Sequence, residues 1–256
     1  MKTTCLILFM SAELAAAAEI SLKADRMEHV LVLKQVYLND QGPFRMMIDT
    51  GAASCLIRPA IAKRLGVRPA YAVMQDSVAG LKRVPAAILD SLRVGPASDK
   101  AIEIMISNVE RSEVDGVLGQ SWLVRHDYLL DYRGRRFVLD AAAPDGGVKA
   151  ALRSSDGTPM ISAEVNGNSQ ELVVDSGASM LILFRRSALP STTALVTNGG
   201  SLEAKMGSVN VRIGGVYTRL MTTVNVEAPP RPGLLPAASF RSVYISNRDG
   251  VVILLP

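Results

Sequence analysis

Met46-Met47-Ile48-Asp49-Thr50-Gly51-Ala52 and Leu172-Val173-Val174-Asp175-Ser176-Gly177-Ala178 follow one pattern: an apolar run, an aspartate, a hydroxyl residue, a glycine and an alanine. The two aspartates lie 126 residues apart in a chain of 256. One such tetrapeptide is a good turn sequence and no more. Two of them, each ending a strand-like run and similarly placed in its half, predict a doubled unit that presents two carboxylates to one site. A close pair of carboxylates can share a proton and act as acid and base together.

The flanking sequence repeats as well. Period-two alternation over residues 30–38 and 160–165 predicts a strand at the head of each half. The turn signals Asn39-Asp40-Gln41-Gly42 and Asn166-Gly167-Asn168 follow, so each aspartate ends the second strand of a hairpin. Beyond the aspartate loops come apolar stretches at 56–57 and 180–183. Pro59 to Leu65, with Gly66 as a cap, predicts a short helix in the first half, and 184–189, stopped by Pro190, is its counterpart. Glycine-bearing turns at 78–80 and 197–200 precede further strands. Late in each half stands an apolar element opening on glycine, Gly116-Val117-Leu118-Gly119 and Gly233-Leu234-Leu235-Pro236, followed by an amphipathic segment and closing strands. Agreement along this length is the sign of an internal repeat. The expected division is a first lobe over 19–143, a Gly/Ser/Pro-bearing linker over 144–157 and a second lobe over 158–256.

Composition narrows the function. The chain is 48% hydrophobic with a net charge of +4, and its basic residues are scattered, which argues against nucleic acid as a partner. Residues 1–18 read as a signal peptide, with Lys2, a mostly apolar stretch that Glu13 interrupts, and Ala15 to Ala18 as small residues for cleavage. Export to a periplasm or beyond is the expectation. No later apolar run reaches the ~18 residues that span a bilayer. Once the signal is removed Cys55 is the sole cysteine, which excludes an intramolecular disulfide and suits a small buried residue. His29 and His126 share no metal-ligand spacing with a carboxylate, so no metal or cofactor is expected. No Gly-x-Ser-x-Gly nucleophile turn is present. His126 is expected on the exposed side of a short helix, Trp122 in the core, Asp115 in a turn, and Tyr71 either over a cleft or in the core.

Asp49-Thr50-Gly51-Ala52 and Asp175-Ser176-Gly177-Ala178, with the glycine elements starting 67 and 58 residues after their aspartates, resemble the aspartic proteases of the pepsin and retropepsin type. The likeness is to a bacterial, exported, single-chain protein with two fused retropepsin-like copies, and it covers nearly all the chain outside the signal and linker. It implies an all-β, bilobal acid-protease fold with short helices, its two β-barrel-like lobes related by a pseudo-two-fold axis and complete as a monomer. It implies an aspartic endopeptidase acting on a peptide or protein substrate, with Asp49 and Asp175 catalytic. Thr50, Gly51, Ala52, Ser176, Gly177 and Ala178 would support the two loops, and the turns at Ala79-Gly80 and Gly199-Gly200 would be flaps. The chain departs from the pattern at Ser176, where the first copy has Thr50, and at Pro236, opposite Gly119. Proline removes a donor and fixes φ, so the geometry there must differ. A catalytically weak or inactive peptide-binding module is the alternative.

Overall fold

The computed structural model describes residues 19–109, 111–154, 156–185, 189, 191–197 and 200–256. The expected signal segment lies outside the described residues, as do Gly199 and residues 186–188 and 190 of the expected second short helix. The fold is all-β. The first half forms β1 (Ile20–Lys23), β2 (Asp25–Met27), β3 (Val30–Leu38), β4 (Gln41–Ile48), β5 (Cys55–Ile57), helix α1 (Pro59–Leu65), β6 (Tyr71–Ser77), β7 (Gly80–Val94), β8 (Ala97–Ile106), β9 (Gly116–Leu118), helix α2 (Gln120–Leu123), β10 (Tyr128–Asp131) and β11 (Arg136–Leu139). The second half forms β12 (Val148–Ala151), β13 (Met160–Val165), β14 (Asn168–Asp175), β15 (Leu181–Phe184), β16 (Ser191–Thr197), β17 (Gly200–Ile213), β18 (Tyr217–Val226), β19 (Gly233–Pro236), β20 (Ser242–Ser246) and β21 (Val251–Leu255), with a 3-10 turn over Ala237–Ser239.

Local chemistry accounts for the aspartate hairpins. Asn39 and Asp40 both take left-handed φ, 48° and 59°, and Asn166 and Gly167 do the same at 50° and 81°. Two such residues in a two-residue loop match the right-handed twist of the strands they join. The loops therefore set the registers Leu38↔Gln41 and Val165↔Asn168. Pro59 opens α1, and Gly66 at φ 70° closes it, its N–H bonding the Lys63 carbonyl.

The first lobe is a sheet in the order β2-β3-β4-β9-β5-β8-β7-β6, and the second is β13-β14-β19-β15-β18-β17-β16. Apart from the extra edge strand β2, the orders agree strand for strand. Each sheet also closes on itself, through β3–β7 and β13–β17. In both, the glycine element runs parallel to the aspartate strand, with Ile48 opposite Leu118 and Val174 opposite Leu235. A third sheet, β1-β11-β10-β20-β21-β12, takes strands from both halves and joins them at β10–β20, where Tyr128 lies opposite Ile245. Part of the segment expected as a plain linker thus becomes β12, paired to β21 with Val148 opposite Leu254.

One large apolar core takes Ile48, Leu118 and Trp122 from the first half, Ile161, Val174 and Leu235 from the second, and Leu130 and Val243 from the shared sheet. The residue before each aspartate, Ile48 or Val174, is fully buried in it. Close-packed interiors yield little, so both strand ends are held rigidly. Trp122 is buried as expected, but His126 is not on an exposed face. Its ring centroid lies 4.9 Å from that of Trp122. Its Nε2 is 2.9 Å from Asp99 Oδ2, an oxygen that also accepts from Trp122 Nε1 at 2.8 Å. His126 lies beyond α2, which ends at Leu123, and the half-buried Asp99 carboxylate on β8 draws its ring inward.

Candidate active site

Asp49 follows β4 and Asp175 ends β14, and hydrogen bonds between Thr50 and Ser176 bring these strand ends together. Asp175 is buried, Asp49 keeps a partly open face, and the two carboxyls lie close enough to perturb each other's ionisation. Two buried carboxyls so placed resist ionising together. Burial pushes both carboxyls above the usual carboxylate range, and Asp175 rises further because the charge of Asp49 sits beside it. The pair behaves as one coupled acid that holds a proton where an isolated aspartate would not.

Backbone donors support the ionised oxygens. Gly51 N–H donates to Asp49 Oδ1 at 3.0 Å, and Gly177 N–H donates to Asp175 Oδ1 at 2.7 Å, with Ala178 N–H adding a bond of 3.2 Å. Each glycine also faces the other lobe's carboxyl. A Cβ on Gly51 would stand 2.6 Å from Asp175 Cγ, and one on Gly177 2.7 Å from Asp49 Oδ2. Only glycine admits that approach.

Thr50 and Ser176 link the loops reciprocally. Thr50 Oγ1 accepts from Ser176 N–H at 2.9 Å and donates to the Val174 carbonyl at 2.5 Å. Ser176 Oγ accepts from Thr50 N–H at 2.9 Å and donates to the Ile48 carbonyl at 2.9 Å. Serine at 176 thus supplies every bond that threonine supplies at 50. Ala52 is tied to the start of α2, its carbonyl accepting from Gln120 N–H at 2.8 Å.

Pro236 does change the local geometry. It sits at φ −66°, ψ 114°, whereas Gly119 sits at φ −112°, ψ −169°. The donor that proline lacks matters little, because its counterpart, Gly119 N–H, meets a weak acceptor, the sulfur of Cys55, at 3.4 Å. The supports of Asp175 come from Gly177 and Ala178 and are untouched by it.

Ala79 lies exposed just before Gly80, where β6 turns into β7. That hairpin reaches the second lobe. Arg231 donates to Asp76 Oδ1 at 2.6 Å and to the Ser77 carbonyl at 3.0 Å, while its guanidinium lies 3.8 Å from the Phe184 ring centroid. Val78 packs on the apolar cluster of Ile182 and Phe184. Gly200 opens β17, opposite Thr197 in the corresponding hairpin of the second lobe, and Gly199 lies outside the described residues. Tyr71 is not in the core: it is 40% exposed, and its hydroxyl donates to Glu103 Oε2 at 2.9 Å. Asp115 is a turn residue, accepting from Arg45 N–H at 2.8 Å. Cys55 is buried, and burial raises its thiol pKa.

Two residues near the dyad escaped the sequence reading. Gln120 Nε2 donates to the Thr50 carbonyl at 2.8 Å, and His29 Nε2 lies 3.0 Å from the Gly177 carbonyl. His29 stands just ahead of the strand that pairs with the Asp49 strand, which is the one signal that could have pointed to it. Among the described residues, no group of three or more His, Cys, Asp or Glu is placed to hold a metal ion.

Residues 34–122 match the aspartyl protease family. The match contains Asp49, its loop and the first glycine element, and it stops short of Asp175. No curated protein matches the chain. Among solved structures, the crystal structure of a retropepsin-like aspartic protease from Rickettsia conorii matches at 20% identity with a TM-score of 0.39, over 48% of this chain and 89% of that one. No helix among the described residues is long and apolar enough to cross a membrane.

Proposed function

We propose that this chain is an aspartic endopeptidase in which Asp49 and Asp175 act as one catalytic pair. The observation that carries the reading is the close approach of the two loops, in which each carboxyl lies against the glycine of the opposite lobe. The ionised carboxyl takes a proton from a water held between the pair, and the water oxygen attacks the amide carbon. The protonated carboxyl donates to the carbonyl oxygen, giving a tetrahedral diol. Its collapse passes a proton to the leaving amine and returns the pair to its single-proton state, with no acyl-enzyme. The shared proton belongs to the pair, so the roles of acid and base are divided between Asp49 and Asp175 without either holding one permanently.

The hairpin of β6 and β7, bearing Ala79 and Gly80, serves as the flap over a bound peptide, and its hold on the second lobe supports that role. The matching strand orders support a descent from two fused retropepsin-like copies, with a monomer sufficient for the site. The character of residues 1–18 supports export. The test is cleavage of a peptide library from about pH 3 to about pH 8 by the wild type, Asp49→Asn and Asp175→Asn. Cleavage by the wild type alone is expected. Equal activity in either variant sinks the reading, and cleavage by none of the three with retained peptide binding selects the inactive binding module.

A further inference from the structure

His29 is half-buried, its side chain 18% exposed, and it meets the dyad from outside the two aspartate loops. Its Nε2 lies 3.0 Å from the carbonyl oxygen of Gly177. A carbonyl only accepts, so Nε2 carries the proton. Gly177 is thereby held on three sides. Its N–H donates to Asp175 Oδ1 at 2.7 Å, its α-carbon faces Asp49, and its carbonyl is bonded by a side chain of the first lobe. Two further groups face the imidazole. Glu28 Oε2 is 3.8 Å from Nδ1, and Arg111 Nη2 is 3.5 Å from Nε2. These two pair with each other at 3.1 Å, so their charges largely offset at the ring.

The feature is one-sided. Val32 and Met160 hold equivalent places, opposite Met47 and Val173, two residues before each aspartate. Three residues ahead of them stand His29 and Gly157. The second lobe therefore has no side chain there to bond the Gly51 carbonyl, and Gly157 lies against Gln120 instead.

We propose that His29 is a positioning residue of the dyad: by bonding the Gly177 carbonyl from the opposite lobe, it fixes the glycine that separates the two carboxyls. The inference rests on the protease reading for its kinetic consequences. Displacing reacting groups by about 1 Å can cost about a hundredfold in rate. The clamp also has a pH signature. Burial, chiefly, holds the imidazole below its usual range, so it is neutral at neutral pH. On acidification it becomes an imidazolium close to Asp49, favours the ionised form of that carboxyl and delays the second protonation of the pair.

The experiment compares wild type, His29→Ala and His29→Gln by kcat and KM across pH, and by carbon-13 NMR titration of the aspartate carboxyls. His29→Ala is expected to lower kcat about 10- to 100-fold with KM nearly unchanged. His29→Gln, whose amide N–H can reach the same carbonyl, is expected to recover most of that loss. Its acid limb should lie at higher pH than in the wild type, with the alkaline limb in place. A wild-type kcat in His29→Ala overturns the proposal, as does a glutamine variant no better than alanine. If the wild type cleaves nothing, the protease reading fails and the NMR arm decides alone. An upward move of the dyad titration in the folded His29→Gln variant supports the clamp, and an unmoved titration overturns it.

Discussion

Thr50 and Ser176 each hold the strand that carries the other's aspartate. The Thr50 hydroxyl donates to the Val174 carbonyl, one residue before Asp175, and the Ser176 hydroxyl donates to the Ile48 carbonyl, one residue before Asp49. Each hydroxyl also takes the other's backbone N–H. Neither carboxyl can move without the opposite loop, which is how two lobes set a distance that neither encodes alone.

Thr50 and Ser176 are buried, so groups orphaned there find no water. Thr50→Val keeps the shape but strands the Ser176 N–H and the Val174 carbonyl. We expect it to destabilise the fold by about 2–4 kcal/mol in urea unfolding, with Thr50→Ser within about 1 kcal/mol of wild type. Equal unfolding midpoints for Thr50→Val and wild type would contradict the reciprocal bonding.

The dyad makes stability depend on pH. Its carboxyls are raised above their unfolded values, so the folded protein binds a proton that the unfolded chain has released. That contribution is complete below the usual carboxylate range and is lost as pH rises through the raised folded-state value. Asp175→Asn removes the titration while keeping a donor. Its melting temperature should exceed that of the wild type at pH about 7, by an amount equivalent to roughly 1 kcal/mol, with the gain vanishing near pH about 4. A gain independent of pH would refute the assignment.

A methyl group at Gly177 would meet Asp49 Oδ2 at 2.7 Å. Gly177→Ala must therefore spread the carboxyls or shift the loop. A fall in kcat of about a hundredfold is expected in a protein that still unfolds cooperatively. Full activity would place the catalytic water elsewhere.

The hairpin of β6 and β7 is pinned by Arg231 to a largely exposed Asp76 and to the Ser77 carbonyl, with Phe184 beneath the guanidinium. The ion pair alone is worth at most about 1 kcal/mol, and stacking on Phe184 adds a comparable amount. Arg231→Gln is expected to raise hydrogen exchange of the amides at 76–81 by about tenfold while leaving β4 and β14 protected. Unchanged exchange in the hairpin would mean that Val78 alone holds it.

Much of this was legible in the chain, for identifiable reasons. Asn39-Asp40 and Asn166-Gly167 are turn sequences whose conformations follow from local sterics, and they set the phase of the strands that end in aspartate. The glycine elements were visible as apolar runs, and they proved to be the parallel partners of those strands. His126 was misplaced because its neighbours in the chain say nothing of where a short helix ends or of a carboxylate on another strand, and Asp99 turned its ring inward. Gln120 and His29 were missed because they lie 70 and 148 residues from the carbonyls they bond.

Local pattern was enough to establish an all-β chain with two aspartate loops in matching halves, since alternation and turn chemistry act over a few residues. The sequence also marked Pro236 as the place where the halves differ, but not what the difference costs. Only the packed structure decided that the lost donor's counterpart bonds a sulfur, that one lobe's glycine admits the other's carboxyl, and that His29 bonds one side of the pair. Those outcomes depend on separations of a few ångströms between residues far apart in the chain, and such separations exist only once both lobes have closed on a common core.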